Sequence, residues 1–247
     1  TLVDVRSTAQ RIFEYGLDLE LITRNPARGR EVSRYAPRRY RRALTTTEQG
    51  LIISTPHRAR VGALVMMLAG LRRGELIPLT WDDIDLDGLK ISVTKSAECK
   101  NGNRFEVKPG TKTAWGRMVD ITLDLALVLQ EAKKAATSKY VCPRSNGQMH
   151  TLISWRRMWS SYIKSLGKAP GAEQTNIQEI TAHYLRHTYA TLLYLSGVDV
   201  LTAAKLLGHS NVKTTLAIYT HLDDLILSKS VDKLDSYLSS ALFRSLA

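Results

Sequence analysis

The sequence predicts a mainly α-helical protein with one small three-stranded antiparallel sheet, an α+β fold. Three observations carry that expectation. Apolar residues recur at helical spacing through most of the chain. Alternation with a period of two is confined to one stretch, residues 89–121. With 44% apolar and 23% charged residues over 247 positions, there is enough apolar surface to bury a core and too little charge density for a disordered polyelectrolyte.

The elements follow in order. Val5, Ala9, Ile12, Phe13 and Leu17 share a helical face, so residues 2–23 read as a helix that Asn25-Pro26 stops. Residues 24–44 show no periodicity and read as a linker. Thr46 is placed to cap a helix from about residue 47 to residue 54. Val61–Ala69 is apolar on most sides and reads as a buried helix ending at Gly70. Leu71–Leu79 continues as a short helix containing Pro78. Leu89–Lys95 alternates as a strand, Asn101-Gly102 marks a hairpin, and Arg104–Lys108 with Arg117–Ile121 completes the sheet. The turn between the last two strands holds Gly110, Lys112 and Gly116. A helix at 123–136 precedes a loop at 142–150. Helices follow at about 151–166, 182–196, 199–207, 211–221 and 231–244.

Composition excludes several classes. No window approaches the roughly 18 uninterrupted apolar residues of a membrane span. The longest apolar stretch, Val61–Leu71, carries Gly62 and Gly70. No signal-peptide pattern opens the chain. Two cysteines, Cys99 and Cys142, make neither a disulfide framework nor a four-ligand zinc site by themselves, and they suit a reducing compartment. A chain that starts at Thr1 rather than Met reads as part of a longer one.

Lys and Arg number 35 against 23 Asp and Glu, a net charge of +12. Eight arginines, at 24, 28, 30, 34, 38, 39, 41 and 42, face one acid, Glu31, between residues 24 and 42. Guanidinium forks match phosphate oxygens, and counterion release drives binding to a polyanion. Nucleic acid is the favoured partner. A membrane surface is not, because Pro26, Gly29 and Pro37 prevent an amphipathic helix there.

Four segments carry candidate chemistry. Gly70-Leu71-Arg72-Arg73-Gly74-Glu75-Leu76 aims Arg72 from a glycine-ended helix, with Glu75 three residues on to orient it. His183-Tyr184-Leu185-Arg186-His187-Thr188 places His183 and Arg186 on one helix face. Its His-x-x-x-His spacing lacks the glutamate of a zinc protease motif, because Tyr184 follows the first histidine, and it has no third ligand. Metal is therefore not expected. Leu207-Gly208-His209 ends one helix, and Thr214-Thr215 leads to Tyr219 and His221 on the next. Lys112 sits in the sheet turn, with Lys108 nearby. Arginines clamp non-bridging phosphate oxygens, a lysine protonates a leaving alkoxide, and a phenol with a pKa near 10 is an accessible nucleophile. No P-loop and no two-metal carboxylate cluster accompanies them.

The order Arg, Lys, His-x-x-Arg, His, Tyr resembles the tyrosine recombinase, or phage integrase, family over residues 44–225. Tyr184 stands where that family usually has aspartate. The resemblance implies Tyr219 as nucleophile and Arg72 and Arg186 as the phosphorane clamp. It implies His209 as a donor to the same oxygens, His183 as the proton acceptor and Lys112 as general acid. Glu75 then orients Arg72, and His187 supports the helix. No cofactor is expected. The resemblance implies a catalytic domain at 44–228 of recombinase type, after a core-binding-domain remnant at 1–24 and an interdomain linker at 25–43. It also implies a tail helix at 229–247 that docks on a neighbouring protomer, with docking on its own domain as the alternative. The expected activity is site-specific cutting and rejoining of DNA through a 3′-phosphotyrosine, without metal or ATP. The expected partners are double-stranded DNA, contacted by Arg38, Arg39, Arg41 and Arg42, further copies forming a tetramer on paired sites from a free monomer, and DNA-bending accessory proteins. A cytoplasmic, nucleoid-associated protein of bacterium or phage fits. Two alternatives remain at this point: a type IB topoisomerase-like enzyme, and a non-catalytic DNA-binding protein.

Overall fold

A computed structural model describes residues 2–30, 42–99, 102–110 and 116–220. The chain divides into two units, Thr1–Tyr40 and Arg41–Ala247. In the first, helix α1 spans Leu2–Asp18. It is shorter than its apolar pattern predicts, because Glu20 takes a positive φ of 56° and turns the chain. The residues after it fold back onto α1. Asn25 Nδ2 donates to the Gln10 carbonyl at 3.1 Å and to Glu14 Oε2 at 2.6 Å. Gln10 Nε2 donates to the Ala27 carbonyl at 3.2 Å. The start of the arginine-rich stretch, up to residue 30, is therefore tied to the helix by side-chain amides.

The second unit is built around α3 (Arg60–Leu68), whose residues Gly62–Met67 are all buried. After Arg60 the helix is apolar with no polar stripe, so its middle has to be enclosed on all sides. Helices α2 (Thr46–Ser54), α5 (Leu123–Lys134) and α7 (Ala182–Leu195) pack against it. The cap of α2 is Thr45, not Thr46: its hydroxyl accepts from the Glu48 N–H, and the Glu48 carboxylate accepts from the Thr45 N–H at 2.9 Å. That reciprocal box fixes the helix start one residue earlier than expected. The predicted helix at 71–79 reduces to α4, Arg73–Leu76, because Arg72 is extended at its N-cap.

The sheet differs from its prediction in membership. Its three antiparallel strands are β1 (Ile84–Asp85), β2 (Lys90–Val93) and β5 (Arg117–Asp120), with Val93 opposite Arg117. Lys95–Glu98 (β3) pairs instead with Glu106–Pro109 (β4) as a separate two-stranded ribbon, Lys95 opposite Pro109. The stretch read as one strand to Lys95 is thus broken at Thr94, and the middle predicted strand leaves the sheet. Helix α6 (Leu152–Leu166) buries Trp155, Met158, Tyr162 and Leu166 at helical spacing. Helices α8 (Val200–Leu207) and α9 (Val212–Tyr219) follow α7 and pack on each other. Among the described residues no helix is long and apolar enough to cross a membrane. The tail read as a helix at 231–244 lies outside the described residues.

Candidate active site

Two glycine turns build the site. Gly70 ends α3 with φ +66°, and a Cβ there would lie 2.3 Å from the Tyr189 ring. Gly208 ends α8 with φ +61°, and a Cβ there would lie 2.9 Å from the Arg117 guanidinium. Only glycine combines this left-handed backbone with so close an approach. Each turn leaves main-chain carbonyls that the helices do not use, and arginines take them. Arg186, on α7, donates from Nη1 to the Gly70 carbonyl and from Nη2 to the Leu207 carbonyl. Arg72 donates from Nη2 to the Gly208 carbonyl at 2.7 Å. The three sequence motifs are therefore laced together by arginine-to-carbonyl bonds.

Glu75 is the counter-charge. Its Oε1 accepts from Arg72 Nη1 at 2.8 Å, and its Oε2 accepts from the Arg72 backbone N–H at 2.8 Å. The extended backbone at Arg72 is what lets one carboxylate hold both groups. A second arginine, not singled out by sequence, shares it. Arg117, at the start of β5, donates from Nη1 and Nη2 to the two Glu75 oxygens, each at 2.9 Å. Burial raises the Glu75 carboxyl pKa. The Arg117 hydrogen bonds and charge, with those of Arg72, more than offset this and bring it down to about 2. Burial, then the positive charge of Arg72, pushes the Arg186 guanidinium down to about 9, so it stays charged at neutral pH.

His209 follows Gly208, and its Nδ1 is 2.8 Å from the hydroxyl of buried Thr215 on α9. Burial and the nearby charges of Arg186, Arg72 and Arg117 push its pKa down to about 4. The imidazole is neutral at pH 7 and carries a single ring N–H. His183, on the first turn of α7, is exposed and lines a cavity with Arg72, Glu75 and Arg156. His187 is half-buried one turn further on.

Tyr219 ends α9 and is buried, with its ring 4.5 Å from that of Tyr194. Its hydroxyl donates to the Val198 carbonyl at 3.3 Å. Burial, then the charge of Asp199, raises the phenol to about 12.

The structure thus brings Arg72, Glu75, Arg186 and His209 together, sets His183 at the adjoining cavity, and holds Tyr219 on another carbonyl. Arg42, expected on DNA, forms a two-pronged ion pair at 2.5 and 2.6 Å with Glu48, which is fully buried. Its guanidinium serves the fold of α2. Arg38, Arg39, Arg41 and Lys112 lie outside the described residues. Lys108 Nζ is 2.9 Å from Glu98 Oε2 across the β3–β4 ribbon. Sequence reading missed Arg117 and gave no role to Thr215. A strand-initial arginine carries no local signal. The six-residue spacing of His209 and Thr215 becomes a contact only once α8 and α9 fold on each other.

The pattern of the phage integrase family matches residues 35–225, which is most of the chain, so the chain belongs to this family. The ICEBs1 integrase of Bacillus subtilis (strain 168) is 25% identical over 255 residues, covering 95% of this chain and 65% of that protein. Tyrosine recombinase XerA of Thermococcus kodakarensis is 34% identical over 203 residues, covering 80% of this chain and 64% of that protein. The chain spans less than two thirds of the length of these curated relatives. In solved structures the fold recurs in the Tn1549 transposon integrase in complex with transposon right end DNA. That match has a TM-score of 0.75 and 20% identity, over 95% of this chain and 79% of that one. It recurs also in a lambda integrase tetramer bound to a Holliday junction, with a TM-score of 0.56 and 19% identity, over 84% of this chain and 57% of that one.

Proposed function

We propose that this chain is the catalytic part of a site-specific DNA recombinase that cuts and rejoins strands through a 3′-phosphotyrosine on Tyr219. The observation that carries the reading is the pair Arg72 and Arg186, fixed on the carbonyls of Gly70, Leu207 and Gly208 beside neutral His209. Each guanidinium has five N–H groups and spends two on the protein here, which leaves donors for the non-bridging oxygens of a phosphodiester. A prebuilt clamp of this kind favours the pentacoordinate state, where oxygen charge is greatest. With the Thr215 hydroxyl donating to Nδ1, His209 presents Nε2–H as a further donor.

In the reaction Tyr219 leaves Val198 and its oxygen bonds to phosphorus. His183 accepts the phenolic proton. The bond from phosphorus to the 5′ oxygen breaks, and Lys112 protonates the leaving alkoxide. The 5′-hydroxyl of a partner strand then reverses the step, and the bond energy kept in the phosphotyrosine makes ATP unnecessary. The side chains supply the acid, the base and the charge, so the proposed chemistry is metal-independent. In this reading residues 1–24 end a core-binding domain, 25–43 connect it, and 44–228 form the catalytic domain. The tail at 229–247 docks in trans within a tetramer on paired duplex sites.

Nicked duplexes tiled over the DNA flanking the reading frame test the reading. The 247-residue chain forms a covalent adduct that survives denaturing gels, and Tyr219→Phe forms none while binding the same duplex. An adduct on Tyr219→Phe rejects the nucleophile. Replacing Arg38, Arg39 and Arg41 flattens the slope of log affinity against log salt by about 0.9 for each phosphate no longer neutralised. An unchanged slope removes those arginines from the interface.

A further inference from the structure

We infer that Arg117 is a positioning residue for strand cleavage: it neutralises Glu75 so that Arg72 and Arg186 keep their full charge for the phosphate. The inference rests on the reading above and deepens it. Glu75 is needed where it stands, because it orients Arg72 through both the backbone N–H and Nη1. A carboxylate so close to the clamp also cancels part of the charge the clamp offers. In a buried site such cancellation is strong, because little water screens it. Arg117 removes the conflict. Its two Nη atoms face the two Glu75 oxygens at 2.9 Å, and its Nε is buried with no hydrogen-bond partner. Its flank lies against Gly208, where any Cβ would strike it at 2.9 Å. Both ends of its fork are spent on Glu75, so Arg117 acts through that carboxylate.

Charge matching supports this. Arg72, Arg117 and Arg186 less Glu75 leave two positive charges. A phosphodiester anion attacked by a phenolate oxygen gives a dianionic phosphorane. Without Arg117 the clamp would hold one positive charge against two negative ones.

Among the described residues, Arg73, Arg156 and His183 line the same cavity as Glu75, and the charges that act on the site come from four elements. Arg72 precedes α4, Arg117 begins β5, Arg186 comes from α7, and His209 follows α8. On β3, which packs on α4, Lys95 pairs with Asp83 at 3.0 Å and Glu98 with Lys108 at 2.9 Å. None of these replaces Arg117 as a counter-ion within the site.

The test compares Arg117→Met, Arg117→Lys, Glu75→Gln and the double variant Arg117→Met/Glu75→Gln, using single-turnover adduct formation on the nicked duplexes. Arg117→Met slows the adduct by about tenfold to a hundredfold, below the loss for a donor that touches the transition state. Duplex affinity changes less than threefold. The acid limb of the rate profile moves to higher pH, because Glu75 protonates more readily, and Arg117→Lys restores part of the rate. The double variant, with its charge rebalanced, reacts faster than Arg117→Met alone. If it is instead slowed by the product of the single losses, with no shift in the acid limb, Arg117 is only a packing residue and the inference is overturned. A second measurement needs no activity. The Tm deficit of Arg117→Met against the unaltered chain is full above about pH 4.5 and shrinks as pH falls toward about 2, where Glu75 loses its charge. A deficit independent of pH also overturns the inference. If the unaltered chain forms no adduct while the Tm deficit follows pH as described, the recombinase reading fails and the charge pairing stands.

Discussion

The arginine half and the tyrosine half of this site are built in opposite ways. Arg186 is buried and bonded to two main-chain carbonyls, and Arg72 is bonded to a carbonyl and a buried carboxylate. Tyr219 is held by one long hydrogen bond to Val198 and by a tilted ring pairing with Tyr194. Breaking the first set strands several buried polar groups, each at a cost of about 1–3 kcal/mol. Breaking the second removes one neutral bond worth about 1 kcal/mol, a ring pairing of similar size and the burial of one phenol ring, but strands no charged group. Electrostatic catalysis demands groups that do not reorganise during reaction, whereas a nucleophile that acts once per cycle tolerates a holding position. The proposed function assigns the first role to the arginine half and the second to Tyr219.

The largest expected effect comes from breaking the rigid half. Arg72→Lys keeps the charge but cannot reach Glu75 and Gly208 together while offering donors to phosphate. Adduct formation falls by about 10²–10³-fold, with duplex affinity nearly kept. Wild-type rates in that variant place Arg72 outside the clamp.

Gly208→Ala strikes the turn itself. The left-handed backbone costs about 1–2 kcal/mol for a residue with a Cβ, and that Cβ meets the Arg117 guanidinium at 2.9 Å. Both Tm and cleavage drop, and a Tm within about a degree of the unaltered chain contradicts the packing described. Thr215→Val acts more gently, removing the partner of His209 Nδ1 while keeping volume. Cleavage slows about tenfold, below the usual range for one positioned catalytic group, and Tm changes little. Equal cleavage by both chains shows that His209 needs no such partner.

The smallest effect lies in the tyrosine half and has the opposite sign. Tyr194→Ala removes the ring against which Tyr219 rests. Without that ring pairing, worth about 1 kcal/mol, the adduct rate rises by a few-fold if release of the tyrosine limits it. A slower rate means that Tyr194 supports the reactive position instead.

Much of this was legible in the sequence because its causes are local. Helical periodicity depends on side chains three or four residues apart, and it located every long helix among the described residues of the second unit. Gly70 and Gly208 read as stops because backbone sterics act within a residue. Arg72, Glu75, His183, Arg186, His209 and Tyr219 stood in recognisable order along the chain. Other features had no local cause to read. Whether Glu106–Pro109 joins the three-stranded sheet or pairs with Lys95–Glu98 depends on cross-strand partners, and four-residue strands carry too little pattern to choose. Arg42 looked like its arginine neighbours, and only the folding of α2 sets buried Glu48 beside it. Arg117 reaches Glu75 only because β5 and α4 meet in space. Tyr219's hold on Val198 likewise waits for α9 to pack near the end of α7. Backbone conformation and amphipathic pattern are properties of neighbours in sequence, so the chain alone determined the elements and the reactive residue types. Desolvated charge pairing and hydrogen-bond exchange are properties of neighbours in space, so only the tertiary structure decided that Arg72 and Arg117 share Glu75, that Arg42 pairs with Glu48, and that the Tyr219 hydroxyl rests on Val198.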